Sequence, residues 1–81
     1  MTRHAQQEMV RRQISESIVE QVLHSPGQIL VERGDRKVYQ SQVEIAGKTY
    51  LVRVIVEDWM QPAVVVTVYR TSNIAKYWRQ P

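Results

Sequence analysis

Apolar positions recur at helical spacing over the first 24 residues and at strand spacing from Gln28 onward. That change of period divides the chain into a helical front and a sheet-forming remainder. Between Thr2 and His24, the positions Ala5, Met9, Val10 and Gln13 make a weak stripe, which predicts a shallowly docked first helix. A second helix is expected to start at Ser15. Ser15 supplies the N-cap, Glu16 falls in the first turn, and Ile14 is spaced to staple onto Val19. Ile18, Val19, Val22 and Leu23 form its apolar stripe, and Ser25-Pro26-Gly27 ends it.

The remainder predicts four strands. Residues 29–32 form a short one, followed by a charged turn at Arg33-Gly34-Asp35. Residues 37–45 form the second, with Tyr39, Ser41, Val43 and Ile45 on one face and Gln40, Gln42 and Glu44 on the other. Ala46-Gly47 is a tight hairpin signal, leading into a third strand over residues 48–57. A wider turn over 58–62 precedes the fourth strand, 63–70, whose valines predict a central position in the sheet. Thr71-Ser72-Asn73 then caps a short helix over 74–79. The expected fold is α+β: one domain over residues 1–81, with two N-terminal helices packed on a three- to four-stranded antiparallel sheet. A short C-terminal helix or tail follows.

Strand parity divides the last two strands into faces. Tyr50, Val52, Val54 and Val56 share one face of the third strand, and Val64, Val66 and Val68 one face of the fourth. These apolar sets belong against the helices. The opposite sets carry Arg53 between Leu51 and Ile55, and Thr67 and Tyr69 beside Val65. An arginine among aliphatic neighbours must face a solvated concavity or be paired, because burying it without partners is costly. Glu57 and Tyr69 are the partners the parity offers.

Eighty-one residues support one core, and the absence of cysteine excludes a thiolate zinc site, a thiol nucleophile and a disulfide scaffold. The opening Met-Thr-Arg-His-Ala-Gln-Gln has no apolar signal region and no stretch has the length of a membrane span, so a cytoplasmic protein without membrane contact is expected. The net charge of +3 is unevenly distributed. Residues 1–58 carry eight basic and eight acidic side chains, whereas 59–81 carry Arg70, Lys76, Arg79 and no acid. Trp59, Tyr69, Tyr77 and Trp78 lie in that same basic stretch, a composition suited to phosphates and bases as well as to a packed tail. His4 and His24 lack a carboxylate cluster at ligand spacing, so no metal and no cofactor is expected. Gly27, Gly34 and Gly47 are isolated turn glycines and make no phosphate loop.

His4-Ala5, Met9, Arg12 and Ile14-Ser15, then Lys48 with Leu51-Val52-Arg53-Val54, then Val66-Thr67-Val68-Tyr69-Arg70-Thr71-Ser72 and Lys76-Tyr77-Trp78, occur in an order that resembles a bacterial family. It is the family catalogued as domain of unknown function 4258, thought to be related to the RelE/BrnT-type ribonuclease toxins. The resemblance implies helices followed by a twisted antiparallel sheet with an RNA-binding concave face, and a small antitoxin-like protein as partner.

Metal-independent cleavage of RNA requires a base for the 2′-hydroxyl, charge stabilisation at phosphorus and an acid for the leaving 5′-oxygen. His4, Arg53 and Tyr69 are the candidate catalytic residues: an imidazole, a bidentate phosphate ligand and a phenol. Arg12, Thr67, Arg70 and Lys76 are the candidate RNA-binding residues. Each has a structural alternative. His4 reads equally as a first-turn surface residue, Arg53 as an ion pair with Glu57 or another carboxylate, and Arg12 as an i,i+4 pair with Glu8. Thr67 and Tyr69 are ordinary strand residues, Lys76 a solvated tail lysine, and Tyr77 and Trp78 packing groups. His24 suits a helix C-terminus and carries no expected role. Two functions therefore stand beside each other: a toxin-like ribonuclease or RNA-binding domain, and a non-enzymatic protein-interaction module. Homo-oligomerisation through the exposed first strand is compatible with both.

Overall fold

A computed structural model describes residues 1–32, 34–59 and 61–80. Arg33 and Met60, which the sequence assigns to turns, lie outside the described residues. Helix α1 (Arg3–Arg11) and helix α2 (Glu16–His24) come first, each opened by a hydroxyl cap. The Thr2 hydroxyl accepts from the Ala5 amide at 3.1 Å, and the Ser15 hydroxyl from the Ile18 amide at 3.2 Å. Between them Gln13 adopts a positive φ of 55°, and the Ile14 amide donates to the Met9 carbonyl, so the chain reverses within a few residues. Ile14 and Val19 are both buried in one apolar cluster, as the staple requires.

Four strands follow: β1 (Gln28–Val31), β2 (Arg36–Ile45), β3 (Lys48–Glu57) and β4 (Val64–Thr71). They form one antiparallel meander in the order β1-β2-β3-β4. Ala46 and Gly47, with φ of 52° and 80°, make the two-residue turn between Ile45 and Lys48. The turn fixes the β2–β3 register and sets Gln40 opposite Arg53.

Two expectations need correction. The valine-rich β4 is an edge strand, not a central one. Its outer edge is nevertheless occupied, because the Thr2 amide donates to the Val65 carbonyl and the Thr2 hydroxyl to the Val66 carbonyl. The start of α1 thus substitutes for a fifth strand, and valine is tolerated there. Parity also fails midway along β4. The register shifts between Ile55 and Val56, so Thr67 opposes Ile55 while Val65 opposes Val56. Val65, not Val66, therefore joins Val68 in the core.

The core lies between the helices and one sheet face: Ala5, Met9, Ile14, Val19 and Val22 pack on Val43, Val52, Val54, Val56, Val65 and Val68. The second face is covered as well. Residues 74–80, including the single-turn helix α3 (Ile74–Tyr77), fold back across it over Arg53 and Gln40, and Leu51 and Ile55 on β3 are buried as well. Leu51 through Val56 are all buried, so β3 is inside on both sides.

Replacing Ser15 by alanine should cost about 1 kcal/mol, and in a domain of this size should lower the thermal midpoint by about 4–8 °C. Thr2→Ala should cost more, because it removes both the cap and the hydroxyl's bond to the Val66 carbonyl of β4, leaving the backbone bond to Val65. Thermal denaturation followed by circular dichroism checks both; equal losses would mean that the β4 tie is worth nothing.

Candidate functional site

The site is built on the second face of the sheet and on the outer margin of β4. Arg53 is central there and only 6% exposed. Its Nε donates to Gln40 Oε1 at 2.8 Å, and its Nη1 donates to the Tyr69 hydroxyl. Its guanidinium carbon stands 4.4 Å from the centre of the Tyr77 ring and 5.5 Å from that of Tyr69. The two tyrosines meet edge to face at 6.3 Å. Among the described residues the carboxylate near Arg53 is Glu32, 4.0 Å from Nη2 and itself half-exposed. Glu57, the partner that parity offered, pairs instead with Arg36 at 3.2 Å.

Gln40 is wholly buried, and its amide organises the covering segment. While Oε1 accepts from Arg53, Nε2 donates to Gln28 Oε1 at 2.8 Å and to the Tyr77 carbonyl at 3.2 Å. Gln28 then holds Arg79 at both backbone atoms: Nε2 donates to the Arg79 carbonyl at 2.6 Å, and Oε1 accepts from the Arg79 amide at 3.1 Å. Among the described residues, no buried side-chain nitrogen or oxygen lacks a partner. The network is complete in the way a buried polar cluster must be.

At the margin of β4, His4 Nε2 lies 3.2 Å from the Thr67 hydroxyl. Two residues along the same strand, Tyr69 carries the Arg12 guanidinium 5.8 Å above its ring, on the way from α1 to Arg53. Arg12 is oriented by Glu8, whose carboxylate it meets at 3.2 Å while Arg11 meets it at 3.1 Å. The hydrogen bonds from Arg11, with help from Arg12 and against some desolvation, hold the Glu8 carboxyl below its ordinary value. Away from the site, the hydrogen bond to Asp58 holds the Lys37 ammonium above its ordinary value.

His4, Arg12, Arg53, Thr67 and Tyr69 are thus brought into one strip. Arg53 is not set in an open concavity; it is paired and covered. Arg70 does not join the strip. It opposes Val52 on the helix-facing side and stacks on Tyr50 at 4.4 Å, because parity alternates between Tyr69 and Arg70. Lys76 lies on the covering segment, 5.2 Å from the Tyr77 ring. With Leu30, Val31, Glu32, Arg53, Tyr77 and Arg79 it lines a cleft of about 360 Å³. Among the described residues, no cluster of three or more metal-ligating side chains occurs and no helix is long and apolar enough to cross a membrane.

Sequence reasoning missed Gln28, Gln40 and Tyr77 as site residues. Gln40 carried a usable signal: the two-residue Ala46-Gly47 turn dictates that it faces Arg53. Residues 1–70 match the model of a family described as Domain of unknown function (DUF4258). No curated protein and no solved structure matches the chain.

Arg53→Leu keeps the aliphatic bulk but orphans Gln40 Oε1, and should destabilise the domain by roughly 2–3 kcal/mol in urea unfolding. A change within about 0.5 kcal/mol would show that the network contributes nothing net. The Glu8 pairs carry a pH signature. Because the folded carboxyl titrates below the ordinary 4.5, their stabilisation is full above that value and fades as pH falls through the depressed one. The stability gap between wild type and Glu8→Gln should therefore close on acidification, read from urea midpoints between about pH 6 and about pH 3.

Proposed function

The chain belongs to the domain-of-unknown-function family 4258, and from that premise we propose that it is an RNA-binding domain of the toxin-like type whose strip suits metal-independent phosphodiester cleavage. One observation carries this: an imidazole, two guanidiniums and a phenol from separate parts of the chain converge on the margin of β4. The Arg53 charge, moreover, is held by an amide, a hydroxyl and two aromatic faces, with a carboxylate only at 4.0 Å. Neutral partners orient a guanidinium without cancelling its charge, so its attraction for a phosphate survives.

In this mechanism His4, its ring held against the Thr67 hydroxyl, takes the proton from an RNA 2′-hydroxyl. The freed oxygen attacks the adjacent phosphorus, and Arg12 and Arg53 meet the charge that develops on the phosphoryl oxygens. The leaving 5′-oxygen takes a proton from the Tyr69 hydroxyl, which Arg53 contacts. A 2′,3′-cyclic phosphate and a 5′-hydroxyl result. A small antitoxin-like protein is the partner that this function implies.

A second function, a non-enzymatic interaction module, is supported by a different feature. Val10 on α1 is 81% exposed beside a cleft of about 390 Å³ lined by Met1, Gln6, Met9, Ile14 and Glu16.

Purified protein incubated with RNA in the presence of a chelator should yield 2′,3′-cyclic phosphate ends. His4→Gln should slow cleavage by about 10²-fold or more while melting like wild type, and Val10→Asp should cleave normally. Absence of cleavage by wild type, or equal cleavage by His4→Gln, rejects the catalytic function.

A further inference from the structure

Residues 74–80 lie across the guanidinium on which the proposed RNA contact depends, held there by polar latches and by the half-buried Ile74, Tyr77 and Trp78. Helix α3 has four residues and none of them is buried, so it has no intrinsic stability to keep it in place. The Gln28 amide clasps both backbone atoms of Arg79, and the Gln40 amide donates to the Tyr77 carbonyl. At Gly27 the Trp78 ring packs so close that a Cβ would come within 2.9 Å of its tip. The family match, residues 1–70, ends before this segment begins.

Tyr77 lies against the Arg53 guanidinium, 4.4 Å from ring centre to guanidinium carbon, and with the segment in place Arg53 is only 6% exposed. With the segment closed, Arg53 lines the cleft between β1 and the segment, where Glu32 stands 4.0 Å from Nη2. With it open, Nη2 and the guanidinium face become available while Gln40 and Tyr69 still hold Nε and Nη1. A strip interrupted at Arg53 then becomes continuous from His4 to the far side of the sheet.

Resting on the functional reading above, we propose that residues 74–80 form a releasable strap that autoinhibits the RNA site by masking Arg53. RNA competes with the closed strap for access to the guanidinium N–H donors that Gln40 and Tyr69 leave free. The latches that set the closed state are Gln28, which holds Arg79, and the Gly27–Trp78 contact; neither donates to or stacks on Arg53.

The test uses the full chain with Gln28→Ala and, separately, Trp78→Ala. Amide hydrogen exchange at residues 74–80 reads release. Binding of a fluorescein-labelled, 2′-O-methylated single-stranded RNA, which cannot be cleaved through a 2′-hydroxyl, is read by anisotropy. Both variants should exchange faster within the strap, melt as folded domains and bind the RNA about 5- to 10-fold more tightly than wild type, a range typical of coupling between two states. Adding the RNA to wild type should speed exchange at Trp78 and Arg79. Equal RNA affinity in wild type and strap-released variants overturns the autoinhibition while leaving RNA binding intact. A strap that stays protected in both variants overturns it as well, since the segment is then not separable. No RNA binding by any of the three proteins overturns the functional reading and the gating together.

Discussion

A guanidinium buried without a close carboxylate is the constraint around which the second face of this sheet is organised. Removing a charge from water costs several kcal/mol unless donors and faces are satisfied. Arg53 meets that cost with neutral groups: the Gln40 carbonyl oxygen, the Tyr69 hydroxyl and the rings of Tyr69 and Tyr77. Each of those groups then has requirements of its own. The Gln40 amide nitrogen must donate, and it does so to Gln28 and to the Tyr77 carbonyl. Gln28 in turn fixes Arg79. The course of the last residues therefore follows from one charge on β3, through a relay of amides.

The opposite face has a simpler logic. Valines on β3 and β4 meet the apolar stripes of two short helices, and the helices are positioned by their caps and the turn at Gln13. Helix α1 does two things at once. It covers the core with Ala5 and Met9, and through Thr2 it closes the outer edge of β4. That second contact brings His4 beside Thr67 and Arg12 over Tyr69, so the strip on the margin of β4 is a by-product of edge protection. The other edge is less guarded. On β1, Ile29 and Val31 remain exposed, and the strand's shortness is its main defence.

Much of this was legible from residue order. Ser15, Ile14 and Val19 announced α2; Ala46-Gly47 announced the hairpin; the limits of β3 were read without error. Arg53 stood out because an arginine between Leu51 and Ile55 breaks an apolar alternation. What escaped were relations across the chain. The edge position of β4 was hidden because its valines report burial, and burial can come from a helix start as well as from a neighbouring strand. The register shift near Ile55 moved Val65 into the core, and no residue there has the glycine or turn chemistry that signals a bulge. Tyr77 over Arg53 joins positions 24 apart through a four-residue helix too short for any period to register. Gln40 was different. Pairing across the hairpin runs from Ile45 with Lys48 to Gln40 with Arg53, so the turn alone was sufficient to predict it.

The manner of satisfying Arg53 also bears on why it is there. A cation kept only for structure is best held by a carboxylate, which removes both its hydrogen-bonding deficit and its charge. Here amide, hydroxyl and aromatic partners remove the deficit, and the one ion pair that Arg53 makes among the described residues, to half-exposed Glu32 at 4.0 Å, is long and open to solvent screening. Hydrophobic side chains of similar volume would fill the space without that residual field, and β3 already shows on its other face that valines can pack such a sheet. A fixed positive potential under a thin, polar-latched cover makes physical sense where an anion is to be admitted on some occasions and refused on others. Gln40 and Tyr69 supply what such a site needs in both states, since they keep the guanidinium's orientation when Tyr77 is absent and so spare an arriving phosphate the entropy of ordering it.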